Sequence, residues 1–145
     1  MAIRDYIIKS WDKLWTAYLA TIPLETVKSP AQQSTSSYTP KIHFHISKVI
    51  SSLITQIRTE KISLNAFLTD RHVPDKQATC TCGWPRQTAK HILLFCPEFA
   101  DRRASLFEAA GTRDYSKIVA TARGAKAAAL WLQRTGLLPQ FSLGL

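Results

Sequence analysis

Between Tyr6 and Ile22 the apolar and aromatic residues return in steps of three and four: Ile7, Trp11, Leu14, Trp15, Tyr18 and Ile22. That is the period of an amphipathic helix with one apolar face, and Pro23 marks its stop. The face has three possible uses: burial in a core, docking on another protein through Trp11 and Trp15, or stacking of the two indoles on bases. The pattern then lapses. Residues 25–40, which include "SPAQQSTSSYTP", have no apolar period. They predict a flexible linker between an N-terminal helix (1–24) and a helical domain (41–145).

From Pro40 the period resumes. Ile42, Ile46, Val49, Ile50, Leu53, Ile54 and Ile57 share one stripe, which predicts a single long helix over about 41–58. Ser63 is the expected cap of a short helix through Leu64, Phe67 and Leu68. "RHVPDKQAT" reads as a loop. Pro97 and Glu98 start another helix, with Phe99, Leu106 and Phe107 inward and Gly111 as its stop. Asp114 caps the next, Gly124 breaks or bends it, and "AKAAALWLQRTG" closes the chain's helices at Gly136. No segment is strand-rich and none repeats. The fold class expected is mainly α, a small helical bundle with an inserted CCHC zinc-knuckle-like loop over 79–97.

That loop holds every cysteine of the chain. The spacing is C-x-C-x₈-H-x₄-C, through Cys80, Cys82, His91 and Cys96. A structural zinc asks for four nitrogen or sulfur donors in a tetrahedron, and three thiolates with one imidazole meet that count. Gly83 suits the tight turn after the first pair. Thr88 is placed to cap a short helix carrying His91, which must end near Phe95 for Cys96 to swing back. Pro97 agrees, because the residue before a proline avoids helical geometry. A disulfide framework would leave one cysteine over. One structural zinc ion is therefore the expected cofactor. With all four positions filled by protein, no site is left for a reactive water.

At 145 residues and 46% apolar composition the chain suffices for one domain, with or without an attached arm. No stretch approaches the roughly 20 apolar residues of a membrane span, and no cleavable leader is evident. The expectation is an intracellular protein, nuclear or cytoplasmic, whose thiols stay reduced. Net charge is +9, from 19 basic and 10 acidic residues, or about +8 once three thiolates hold a divalent ion. Such an excess favours a polyanionic partner, with solubility as the plainer explanation. Around the loop stand Arg86, Lys90, Arg102 and Arg103, and Trp84 sits at its turn. Trp84 is either a stacking platform for a base or a lid over the metal. The arginine pair either meets phosphate or lines a solvated helix face.

These residues together resemble a known family. "QIRTEKISLNAFL", "CTCGWPRQTAKHILLFCPEFADRR" and "WLQRTGLLPQF" look like the carboxy-terminal tail of fungal non-LTR (LINE-like) retrotransposon polyproteins, where it follows the reverse transcriptase and RNase H domains. The likeness runs from about Trp11 to Phe141. It implies that Cys80, Cys82, His91 and Cys96 are the knuckle's ligands, framed by Gly83, Thr88 and Pro97, with Arg58-Thr59 as an upstream turn. Glu60 stands where glycine is common, and Gln87 where glutamate is usual; neither is a ligand. The resemblance further implies a knuckle that helps hold template RNA or target DNA.

The chain has no Tyr-x-Asp-Asp-like polymerase centre, and its acidic residues form no two-metal nuclease constellation. His43 and His45 flank Phe44, but residues two apart on a helix point in different directions. The expected function is a non-catalytic zinc module that binds RNA or single-stranded DNA through Arg58, Trp84, Arg86, Lys90, Arg102 and Arg103. The alternative is a scaffold that docks on a protein through the Trp11/Trp15 helix.

Overall fold

The computed structural model of the chain describes residues 3–21 and 39–141. Helix α1 (Ile3–Thr21) forms as the apolar period predicts. Its stripe does not become core: Tyr6, Ile7, Trp11, Leu14 and Tyr18 are all exposed, and Trp15 leans on the Tyr18 ring at 5.6 Å between centroids. Of the three uses the sequence left open, burial in the core is thereby removed, and docking and base stacking remain. Ile22 and the linker up to residue 38 lie outside the described residues. The last two linker positions, Thr39 and Pro40, instead open a helical turn, α2 (Thr39–Ile42).

The stripe over 41–58 is real, but two helices carry it. The chain turns at 43–45, where His45 takes a φ of 52°, and re-enters helix as α3 (Lys48–Thr59). Ser47 restarts it by accepting the Ile50 N–H on its hydroxyl at 3.3 Å, which satisfies a donor that a helix start leaves open. The inward residues survive the break: Ile42, Ile50, Leu53, Ile54 and Ile57 are all buried.

Helix α4 (Asn65–Asp70) lacks the predicted serine cap; Leu64 occupies that position with no side-chain bond. Its first N–H groups are satisfied from the knuckle. The Gln87 side-chain carbonyl accepts from Asn65 at 3.0 Å, and the Gln87 backbone carbonyl from Ala66 at 3.3 Å. A cap 22 residues distant is invisible to local rules.

Helix α5 (Ala89–Leu94) is the knuckle helix. A single 3₁₀ turn over Pro97–Phe99 leads into α6 (Ala100–Ala110), which Gly111 ends in the left-handed conformation at φ 72°. Asp114 caps α7 (Tyr115–Ala120) as expected, accepting from the N–H groups of Ser116 and Lys117. The break before the last helix falls at Thr121, not Gly124. The Thr121 hydroxyl accepts the Gly124 N–H at 3.1 Å and starts α8 (Ala122–Arg134). Gly124 lies inside the first turn of α8, where a Cβ would sit 2.5 Å from the Ile118 carbonyl oxygen. This glycine is a contact point between α7 and α8.

Helix α8 is the centre of a small bundle and packs on α2, α3, α6 and α7. Its buried alanines, Ala125, Ala128 and Ala129, let neighbouring backbones approach, while Leu132 and Trp131 fill the far end. The knuckle belongs to this core as well: Ala89, Ile92, Leu93 and Cys96 share one buried cluster with Leu53, Ile54, Leu106 and Leu132. Burying Ile92 and Leu93 contributes about 1.5–3 kcal/mol each, so the segment is a wall of the bundle. Among the described residues there is no strand, and no helix is long and apolar enough to cross a membrane.

Candidate metal centre

Two turns bring the four predicted ligands together. In the first, the Gly83 N–H bonds the Cys80 carbonyl at 2.9 Å and the Cys80 N–H bonds the Trp84 carbonyl at 2.8 Å. Gly83 takes a φ of 88°, which glycine adopts without steric cost. In the second, Thr88 caps α5 by accepting the His91 N–H at 3.2 Å. The helix then closes as Phe95 and Cys96 both donate to the His91 carbonyl at 2.8 Å. Both the cap and the helix end were legible in the sequence. The turns are tied to each other where the Thr81 hydroxyl donates to the Glu98 carboxylate at 2.6 Å.

The ligand atoms of Cys80, Cys82, His91 and Cys96 all lie within 4.8 Å of one another. Cys80 Sγ is 3.8 Å from Cys96 Sγ, and Cys82 Sγ is 3.3 Å from His91 Nε2. A tetrahedral zinc with its usual bond lengths keeps such atoms roughly 3.5–3.8 Å apart, so the spacing fits an ion and the four residues could hold one. All three cysteines are free thiols. Among the described residues, no other cluster of histidine, cysteine or acidic side chains has this geometry.

The surroundings adjust Cys80, Cys96 and His91. Burial works to raise the Cys80 thiol, but hydrogen bonds from Cys82, Cys96 and Gln87 outweigh it and the net shift is downward. Burial pushes the Cys96 thiol up to about 12, with Cys82 and Cys80 adding to the rise. Burial, then the Arg103 guanidinium, hold His91 below its ordinary value, which keeps the imidazole in the neutral form a metal requires. Its Nε2 faces Cys82, while its Nδ1 is buried with no hydrogen-bond partner. The ring is oriented by stacking instead: Trp84 lies 5.5 Å from it, centroid to centroid, at 6° between planes.

Two groups outside the ligand set fix the centre to the bundle. Gln87 is buried, and its amide N–H points to Cys80 Sγ at 3.8 Å while its carbonyl caps α4. Arg103, from α6, donates through Nε to the Leu93 carbonyl at 3.1 Å and through a second nitrogen to the Cys96 carbonyl. Gln87 read in the sequence only as a departure from the family pattern, and nothing local marked its role.

The predicted nucleic-acid contacts scatter. Arg58 is only 4% exposed; it faces inward from α3, which withdraws it from any surface a polyanion would touch and corrects that assignment. Arg103 is engaged with the carbonyls just named. Arg86 is half-exposed and paired with Asp70 at 2.7 Å. Lys90 and Arg102 are exposed. Trp84 is 57% exposed although it covers His91, so it is a lid that still offers ring surface. Phe95, which sequence reasoning missed, is 61% exposed and lines a cleft with Trp84, Cys82, His91 and Pro97. Its only local signal is an aromatic placed where the knuckle helix has to stop. His43 bonds Ser51 Oγ through Nδ1 at 2.7 Å. No family model, curated protein or solved structure matches this chain.

Proposed function

We propose that this chain is a non-catalytic, zinc-organised module that binds RNA or single-stranded DNA inside the cell, of the type its sequence resembles at the tail of retrotransposon reverse transcriptase polyproteins. Three soft thiolates with an imidazole suit zinc. The observation that carries the reading is the cleft at the metal centre, where Trp84 and Phe95 expose their rings side by side on a chain of net charge +9. Aromatic surface takes unstacked bases, exposed Lys90 and Arg102 supply charge for phosphates, and Arg86 can add to it by leaving its pair with Asp70. The test is anisotropy of labelled single-stranded RNA and DNA with the zinc-loaded and the chelated protein across a salt series. Binding that weakens steeply with salt and needs the metal supports the reading. Absent binding, or affinity flat from low to moderate salt, overturns it.

One observation favours a second reading. The apolar stripe of α1, with Trp11 and Tyr18 exposed, suits docking on a protein. Association in solution that disappears when Trp11 and Trp15 become alanine supports it. Monomeric elution with no captured partner counts against it.

A further inference from the structure

A second cavity, of about 300 Å³, is lined by the segment after α3, by α4, by the turn before α5, and by α5 and α7. Ile62, Leu64 and Phe67 give it an apolar floor. Beside Gln87, Thr88 and the Arg86–Asp70 ion pair, its wall carries Glu60, Lys90 and Tyr115 from three elements. They are mutual neighbours. Lys90 Nζ lies 5.9 Å from the Tyr115 ring centroid. Burial raises the Glu60 carboxyl, and the Lys90 charge opposes that rise. Burial, then Glu60, raise the Tyr115 phenol.

One of the three has hydrogen-bonding capacity that the protein leaves unused. The Tyr115 hydroxyl is buried and has no partner, a state that native proteins retain for a reason. Glu60 is exposed at the cavity edge, so its carboxylate is open to an incoming group. Glu60 also holds the left-handed φ of 58° at the end of α3, where glycine would sit without strain. The fold keeps a carboxylate there at a conformational cost.

Resting on the nucleic-acid reading above, we propose that this cavity takes one unpaired guanine base. Guanine alone among the four bases presents two adjacent donors, N1–H and the N2 amine, which match the two oxygens of one carboxylate. Its O6 and N7 accept hydrogen bonds and suit the exposed Lys90 ammonium, a pairing that basic side chains commonly make with guanine, and the Tyr115 hydroxyl once its ring turns into the cavity. Adenine, cytosine and uracil each set an acceptor beside their donor, which a carboxylate repels. The volume stands at the small end of ligand pockets, room for a base on the apolar floor and too little for a large cofactor.

The test uses uridine-tract RNAs carrying one central guanine, inosine or adenine, with the zinc-loaded full chain. The guanine tract should bind roughly tenfold tighter than the adenine tract, and inosine, which lacks the N2 amine, should fall between them. Glu60→Gly should erase that preference while zinc content and melting temperature hold or rise, since glycine relieves the backbone. Tyr115→Phe should reduce it. Equal binding of all three tracts, or a preference that persists in Glu60→Gly, overturns the guanine site and leaves the broader reading standing. No binding to any tract at low salt overturns both.

Discussion

Trp84 lies parallel to His91 at 5.5 Å between centroids and yet leaves more than half its surface open. One indole therefore covers the imidazole and still presents ring to solvent beside Phe95. Replacing Trp84 by alanine should weaken single-stranded RNA binding roughly tenfold with zinc retained. Phe95→Ala should act in the same direction. Anisotropy titration paired with metal analysis checks both, and metal loss in Trp84→Ala would reassign the ring to the centre itself.

Cys82→Ser and His91→Ala should each lose stoichiometric zinc from protein purified without added metal. Structural zinc contributes on the order of 10 kcal/mol in small domains, although here Ile92 and Leu93 anchor the segment independently. Chelation should therefore loosen the ligand turn at residues 79–86 while α5 and the α3–α8 packing persist. Amide exchange resolved by residue would show protection lost in the first region and kept in the second.

Arg103 donates to the Leu93 and Cys96 carbonyls, joining α6 to the end of the knuckle helix. Arg103→Ala should cost about 2 kcal/mol, because two carbonyls lose a charged donor. Arg103→Lys should recover only part, since an ammonium lacks the planar fork that reaches both. Urea denaturation and the rate of zinc loss to a chelator would measure the two effects.

The two glycines separate strain from collision. At Gly83 a Cβ meets nothing within 4 Å but the φ is left-handed, so Gly83→Ala should cost about 1–2 kcal/mol. At Gly124 the backbone is ordinary helix but a Cβ would stand 2.5 Å from the Ile118 carbonyl oxygen. Gly124→Ala should cost about 3 kcal/mol, because α7 must move off α8. Thermal unfolding of the two variants should rank them in that order.

The metal-free protein should lose stability at both ends of the pH scale. Folded Cys96 keeps, up to about 12, a proton that the unfolded chain releases from 9.0, so stability falls as pH rises through that window. The downward shift of Cys80 gives stability that is complete by 9.0 and does not reverse the trend. Folded His91 refuses a proton that the unfolded chain accepts at 6.5. Its contribution is present above 6.5 and lost as pH falls below it. Urea midpoints of chelated protein should form a dome with its top between the two values.

What the sequence determined by itself was local. The spacing of Cys80, Cys82, His91 and Cys96 named the cluster, because ligands on adjacent turns need only short-range geometry. Thr88, Asp114, Gly83, Gly111 and Gly136 marked caps and turns, because each acts on backbone a few residues away. The apolar stripe of α2 and α3 was legible, though the Ser47 restart within it was not. Tertiary structure alone decided the rest. Gln87 caps a helix 22 residues earlier, Arg58 turns inward, and α1 leaves its aromatic face outside. Glu60, Lys90 and Tyr115 come from three separate elements to one cavity wall. Each of these depends on which helix faces meet, and periodicity shows that a face is apolar without showing what will cover it.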